Sequence, residues 1–221
     1  MGTMPSELVP TDRTRLRRLP ARGHFDWDTV VAVIDEAYLA HVGFVVDGEP
    51  RVLPMTYGRI DDVLYLHGSV ANSMLRASAD TEVCVTITLL DGLVLARSAF
   101  HHSMNYRSVV LLGTATRVDD EGEKKAALDA VVEHVLPGRS AVARPTNPEE
   151  LRKTLVLRLP MAEGSAKVRT GGPIDDVEDM ELPVWAGVVP LRMVPGTPLQ
   201  EEPQPPGLVA PEIVGDGRAA G

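Results

Sequence analysis

From residue 43 to residue 118 the chain is a succession of short β-rich runs punctuated by turn dipeptides, interrupted by a single short helical stretch at 71–78. Parallel strands need crossovers of a dozen residues or more, so this rhythm argues against a doubly wound parallel sheet and for antiparallel neighbours. The runs fall at 43–46, 51–57, 63–67, 83–90, 93–99 and 109–118, with breaks at Asp47-Gly48, Asp61-Asp62 and Asp91-Gly92. Asp-Gly tolerates the positive φ angles of a two-residue turn, so 83–90 and 93–99 are expected to form a hairpin. A last strand is expected at 184–194. Six or seven strands with few helices predict an antiparallel barrel, because closing the sheet removes exposed strand edges.

Helices flank this β region. Trp27, Val30, Val31, Ile34 and Tyr38 share one face at helical spacing, with Asp26 and Asp28 at the start where the macrodipole favours acids. Asp120 with Glu123 reads as a helix start, followed by the stripe Leu128, Val131, Val132 and Val135 and a stop at Pro137-Gly138. Asn147-Pro148-Glu149-Glu150 has the cap, first-turn proline and early acids of another, which runs into an apolar stretch at 155–159. The class is mainly β with flanking helices. One folding unit is expected over 20–194. Residues 1–19 form a basic arm with Arg13, Arg15, Arg17 and Arg18, and 195–221 a proline-rich tail too poor in apolar residues to offset its ordering entropy, which reads as disordered.

Composition excludes several function classes. The 31 acidic against 22 basic side chains give a net charge of −9, which disfavours a dedicated nucleic-acid binder. No apolar run approaches the roughly 18 residues of a membrane span, and no secretory h-region follows the N-terminal arginines. The single cysteine, Cys84, excludes an intramolecular disulfide framework and multi-cysteine metal sites, and in Val83-Cys84-Val85 it reads as a small packed hydrophobe. A cytoplasmic protein is expected.

The common catalytic signatures are missing. There is no glycine-rich Rossmann loop and no phosphate-binding loop ending in lysine and a hydroxyl residue. Histidines stand at 24, 41, 67, 101, 102 and 134 without metalloprotease spacing, and the adjacent His101 and His102 would face opposite sides of a strand, so no metal site is expected. Two segments are hard to explain as scaffold. His67-Gly68-Ser69 ends a strand and leads through Asn72, Ser73 and Arg76, which together offer imidazole, hydroxyl, amide and guanidinium groups to a phosphate. Residues 97–108 crowd polar and aromatic donors, including Tyr106, Arg107 and Ser108, into what reads as a ligand wall.

Five stretches carry a family resemblance: 52–58 (Val-Leu-Pro-Met-Thr-Tyr-Gly), 64–69 (Leu-Tyr-Leu-His-Gly-Ser), 91–113, 166–169 (Ala-Lys-Val-Arg) and 185–191 (Trp-Ala-Gly-Val-Val-Pro-Leu). In this order they resemble the flavin-nucleotide-binding, nitroimidazole-resistance branch of the pyridoxamine 5'-phosphate oxidase-related proteins. The resemblance implies an FMN-binding antiparallel split β-barrel, a homodimer with two flavin sites at the subunit interface. It implies that the backbone of Pro54, Met55, Thr56 and Tyr57 runs along the isoalloxazine ring. His67, Ser69, Asn72 and Ser73, with Arg76 added, would surround the phosphate, while Tyr106, Arg107, Ser108 and Trp185 would lie near the flavin from one subunit or its partner. Family members often carry Lys or Arg near the position of Met74, so the cationic part of this cradle is weaker here.

The function so implied is an FMN-dependent oxidoreductase that passes nicotinamide-derived electrons to a small electrophile such as a nitroaromatic. A flavin brings its own redox chemistry, so the lack of a catalytic triad or acid pair is expected. Two rival readings share the residues: the same fold with a deazaflavin coenzyme or haem, and a non-catalytic flavin-binding or sensing protein whose proline-rich tail docks on a partner.

Overall fold

The computed structural model describes residues 7–201, 203–211, 213–214 and 218–219. In chain order the strands of the main sheet are β1 (Gly23–His24), β2 (Ala40–Val46), β3 (Glu49–Met55), β4 (Tyr57–Ile60), β5 (Val63–Ser69), β6 (Thr81–Leu95), β7 (Ser103–Arg117), β8 (Thr154–Pro160), β9 (Glu163–Arg169) and β10 (Gly187–Pro190). The helices are α1 (Trp27–Glu36), α2 (Ser73–Ser78), α3 (Glu121–Val135), α4 (Arg139–Val142) and α5 (Pro148–Lys153). Among the described residues the pairings of this sheet are all antiparallel, and its main path runs β3-β2-β6-β7-β8-β5-β4, with β9 on β7, β1 on β9 and β10 on β6.

The sheet is not closed by hydrogen bonds as the sequence expectation had it. Instead β3 and β4 end the path, and the chain passes directly from one to the other through Thr56. The result is the split form of the barrel, in which the strand that leaves one half of the sheet enters the other.

Local chemistry explains where the elements begin. Asp26 accepts from the Thr29 amide at 2.8 Å and caps α1, whose Trp27, Val30, Val33 and Ile34 turn into the core. Asp120 caps α3 through the Glu123 amide, and Asn147 with Glu150 forms the reciprocal box that starts α5. Asp47 and Gly48 both adopt positive φ, 53° and 79°, as a tight hairpin between β2 and β3 requires.

Asp91-Gly92 behaves differently from the hairpin expected there. β6 runs straight through it, and only the register with β7 slips between Leu90 and Gly92. The reason is a tertiary neighbour: β10 lies against this stretch, and a Cβ on Gly92 would sit 3.0 Å from Val188 and 3.1 Å from the Val189 carbonyl. Glycine is there for close approach, and the irregularity frees the Asp91 carboxylate to meet Arg107. β10 is also shorter than the 184–194 run expected. β9 carries no strand signature in its residue pattern, because Gly164 and Ser165 give it poor strand character. Both are buried, and a Cβ on Gly164 would come within 2.7 Å of Leu111 and of the Val110 carbonyl.

The core lies between the sheet and α1, with Val30, Ile34, Leu64, Leu66, Val85, Ile87, Leu111 and Leu157 fully enclosed. A smaller cluster of Val63, Tyr65, Val118, Ala127 and Val156 holds α3 to the other half. Residues before β1 fold back over the sheet: Leu8 joins the core, and Arg13 pairs with Glu82 and Glu163. Among the described residues no helix is long and apolar enough to cross a membrane, and no cluster of three His, Cys, Asp or Glu could hold a bare metal ion. In the C-terminal segment Ile213–Val214 pairs with Arg218–Ala219.

Candidate functional site

The segment Pro54 to Tyr57 joins two features. At one end Pro54 lies opposite His41 of β2, and at the other Tyr57 lies opposite Leu66, the residue before His67. A cavity of about 1040 Å³ opens on the β2 side, and the polar turn after β5 stands on the other. That volume is at the upper end of the roughly 300–1,000 Å³ typical of small-molecule sites.

The cavity is walled by the turn from α1 into β2, the slipped stretch of β6, Arg107 of β7 and the residues at and just after β10. Its most ordered polar element is Arg107. The guanidinium donates to Glu36, with Nη2 at 2.7 Å from Oε1, and to both carboxylate oxygens of Asp91 at 2.8 and 3.0 Å. Those two carboxylates, Glu36 first, raise the Arg107 pKa above its usual value and fix its charge. The side chains are 29–41% exposed, so the network fixes geometry more than it adds stability.

Tyr57 contributes backbone to the joining segment, but its side chain faces the core. It is fully buried, and its hydroxyl lies 2.6 Å from the Ile34 carbonyl and 2.8 Å from that of Ala37. His134 reaches the same Ala37 carbonyl at 2.7 Å and packs on the Tyr57 ring at 4.3 Å between centroids. These contacts hold the turn at residues 37–39 that forms one wall of the cavity.

At the other end His67, Ser69, Asn72, Ser73 and Arg76 lie along the turn from β5 into α2. Two of them are partly committed: Asn72 caps α2 through the Leu75 amide at 3.1 Å, and Ser69 accepts from the Ala71 amide at 3.1 Å. Ser73 and Arg76 are exposed. His67 is the informative one, because its Nδ1 is buried and meets no hydrogen-bond partner among the described residues. A buried, unmatched ring nitrogen is costly unless a ligand or water completes it. Burial lowers the His67 pKa below its usual value, which favours the neutral ring in the folded chain at pH 7. Because the unfolded chain binds that proton more readily, stability should fall as pH drops below about 6.5. A His67→Phe variant, followed by thermal melts between pH 7 and pH 5, is expected to lose that part of the pH dependence.

Tyr106, Arg107 and Ser108 lie on β7, and the three do not share one role. Arg107 lines the cavity, whereas Tyr106 stacks beneath the Lys167 ammonium at 5.9 Å and Ser108 faces the Lys167 carbonyl. Trp185 stands apart from the cavity, 64% exposed, with its indole folded over Gly187. Within the wall expected at 97–108, residues 97–102 form a loop braced by carboxylates: Asp175 accepts from the Arg97 amide and guanidinium at 2.9 and 2.8 Å, and Asp176 meets His101 at 3.1 Å.

Tyr38, His41 and Arg192 line the cavity without having been singled out as binding residues. One signal was available for His41. It interrupts an apolar run in which Ala40, Val42 and Phe44 alternate inward, so it is a polar residue on the outward face beside Pro54.

Split antiparallel sheet, flanking helices and a cavity beside the joining strand define the split-barrel class. The family model for pyridoxamine 5'-phosphate oxidase matches residues 26–168, and the chain belongs to that family. No curated protein matches. Among solved structures it is similar to the flavocytochrome Anf3 from Azotobacter vinelandii, at 41% identity over 93% of this chain and 96% of that one, with a TM-score of 0.86. It is also similar to an FAD- and haem-binding protein from Mycobacterium smegmatis, at 37% identity over 86% and 94% of the two chains and a TM-score of 0.82. A candidate 5-nitroimidazole antibiotic resistance protein from Bacteroides thetaiotaomicron follows at 26% identity, 65% and 84% coverage and a TM-score of 0.55.

Proposed function

We propose that this protein is a flavin-nucleotide-binding oxidoreductase that works as a homodimer and carries a haem as its second redox group. The observation that carries the reading is the likeness, over most of both chains, to a flavocytochrome and to an FAD- and haem-binding protein. FAD in the second relative favours the dinucleotide over the FMN expected from the sequence resemblance. Transfer of nicotinamide-derived electrons to a nitroaromatic rests on the more distant Bacteroides likeness and is the reading for donor and acceptor.

The residues present fit a flavin at the cradle. The unmatched His67 nitrogen, the Ser69 and Ser73 hydroxyls and the exposed Arg76 guanidinium supply polar partners for a phosphate, and the Pro54–Tyr57 backbone leads from them toward the cavity. A bound flavin would exchange one or two electrons, and a bound haem one. The chain's own part is to hold the anionic end, order the ring and shield it from water.

The homodimer reading rests on the outer face of the sheet. Val45 and Val52 are 59% and 63% exposed there, beside Gly43, Cys84 and Leu112 on neighbouring strands.

Native mass spectrometry tests all three parts at once. The expected species is a dimer that retains flavin and haem, each identified by mass after denaturation; a monomer with neither would end the proposal. A His67→Ala/Ser69→Ala double variant should lose flavin occupancy roughly tenfold through two removed polar contacts. Unchanged occupancy would remove the cradle from the account.

A further inference from the structure

Six histidines are available to bind iron, and their surroundings separate them. His134 is 8% exposed and committed to the Ala37 carbonyl. His101 is engaged by Asp176, His24 stands 3.7 Å from Asp26, and His102 has Nδ1 on the Ser98 carbonyl at 2.9 Å in a loop outside the cavity. His67 belongs to the cradle and does not line the cavity. His41 does line it, is exposed, and meets no hydrogen-bond partner among the described residues.

We infer that the cavity beside β2 is the haem site and that the His41 imidazole is the iron ligand, an inference that rests on the haem part of the proposed function.

Haem asks for three things of a protein: a slot with apolar walls, an axial donor and compensation for its two carboxylates. The cavity supplies Leu39, Leu89, Leu90, Leu191 and Met193 as apolar wall. His41 projects from a strand held on both sides, opposite Pro54 on β3 and Thr86 on β6, so the donor is carried by a rigid element. Of the two arginines lining the cavity, Arg107 is already neutralised by Glu36 and Asp91. Arg192 is exposed with no carboxylate partner among the described residues, which leaves it for a propionate.

The full chain is purified, reconstituted with haemin and read by visible absorption and electron paramagnetic resonance, with flavin content measured in parallel. Wild type should take up one haem per chain with an imidazole-ligated spectrum. His41→Ala should lower haem affinity at least tenfold or shift the Soret band, and added imidazole should restore the wild-type spectrum, an effect that a merely disturbed fold would not produce. His102→Ala should match wild type. If wild type takes up no haem, the haem part of the proposed function fails and this inference with it. If wild type binds haem and His41→Ala keeps the same spectrum, the inference alone fails. It also fails if His41→Ala releases flavin and leaves haem in place, since the cavity would then hold the flavin ring.

Discussion

Gly58→Ala is expected to destabilise the protein by about 3 kcal/mol, the upper part of the usual cost of overpacking. A Cβ at this position would lie 2.7 Å from the Val131 amide nitrogen and 2.8 Å from the Ala130 carbonyl carbon, so β4 and α3 would have to separate. Both neighbours are helix backbone, which cannot swing aside as a side-chain tip can. For a domain of this size the loss corresponds to a melting point lower by roughly 6–12 °C. Gly172→Ala is the matched control, because nothing stands within 4 Å of its added Cβ, and it should change stability by less than about 0.5 kcal/mol. Equal melting points for the two variants would show that α3 is not seated on β4 as described.

The second large effect is at Tyr57. Tyr57→Ala should cost about 3–5 kcal/mol, as for other large side chains removed from a core. Tyr57→Phe isolates the hydroxyl: its single proton is shared between the Ile34 and Ala37 carbonyls, and its loss should cost about 1–2 kcal/mol. The Ala37 carbonyl keeps the His134 donor, so the phenylalanine variant is expected to fold. The functional consequence lies next door. The 37–39 turn is cavity wall, so Tyr57→Phe should weaken retention of the cavity ligand by a few-fold in haemin titrations well below the melting point. A variant as stable as wild type, with unchanged retention, would detach Tyr57 from both roles.

How much of this could be read in the sequence depends on the range of the forces involved. The α1 cap at Asp26, the Asp47-Gly48 turn and the Asn147–Glu150 box are decided within four residues, and the chain spells them out. Asp91-Gly92 carries the same turn chemistry as Asp47-Gly48, yet β10, a hundred positions later, overrides it. β9 was illegible for the same reason, since its glycine and serine are explained by how closely β7 approaches them. The proposed cradle could be picked out of the sequence because 67–76 is one continuous stretch. The cavity could not, because residues near 38, 90, 107 and 191 become neighbours only after the sheet has formed.

The order of strand pairing carries a consequence for biosynthesis. Gly23–His24 pairs with Ala166 and Lys167, and residues 92–95 of β6 pair with Gly187–Pro190. A ribosome therefore extrudes the early hairpins before the strands that complete them, and nascent chains expose the Leu93–Leu95 edge until Gly187–Pro190 has been made. Pairings this distant in sequence slow folding, because loop-closure entropy is lost before the contacts form, and the unpaired edge is open to aggregation in the meantime.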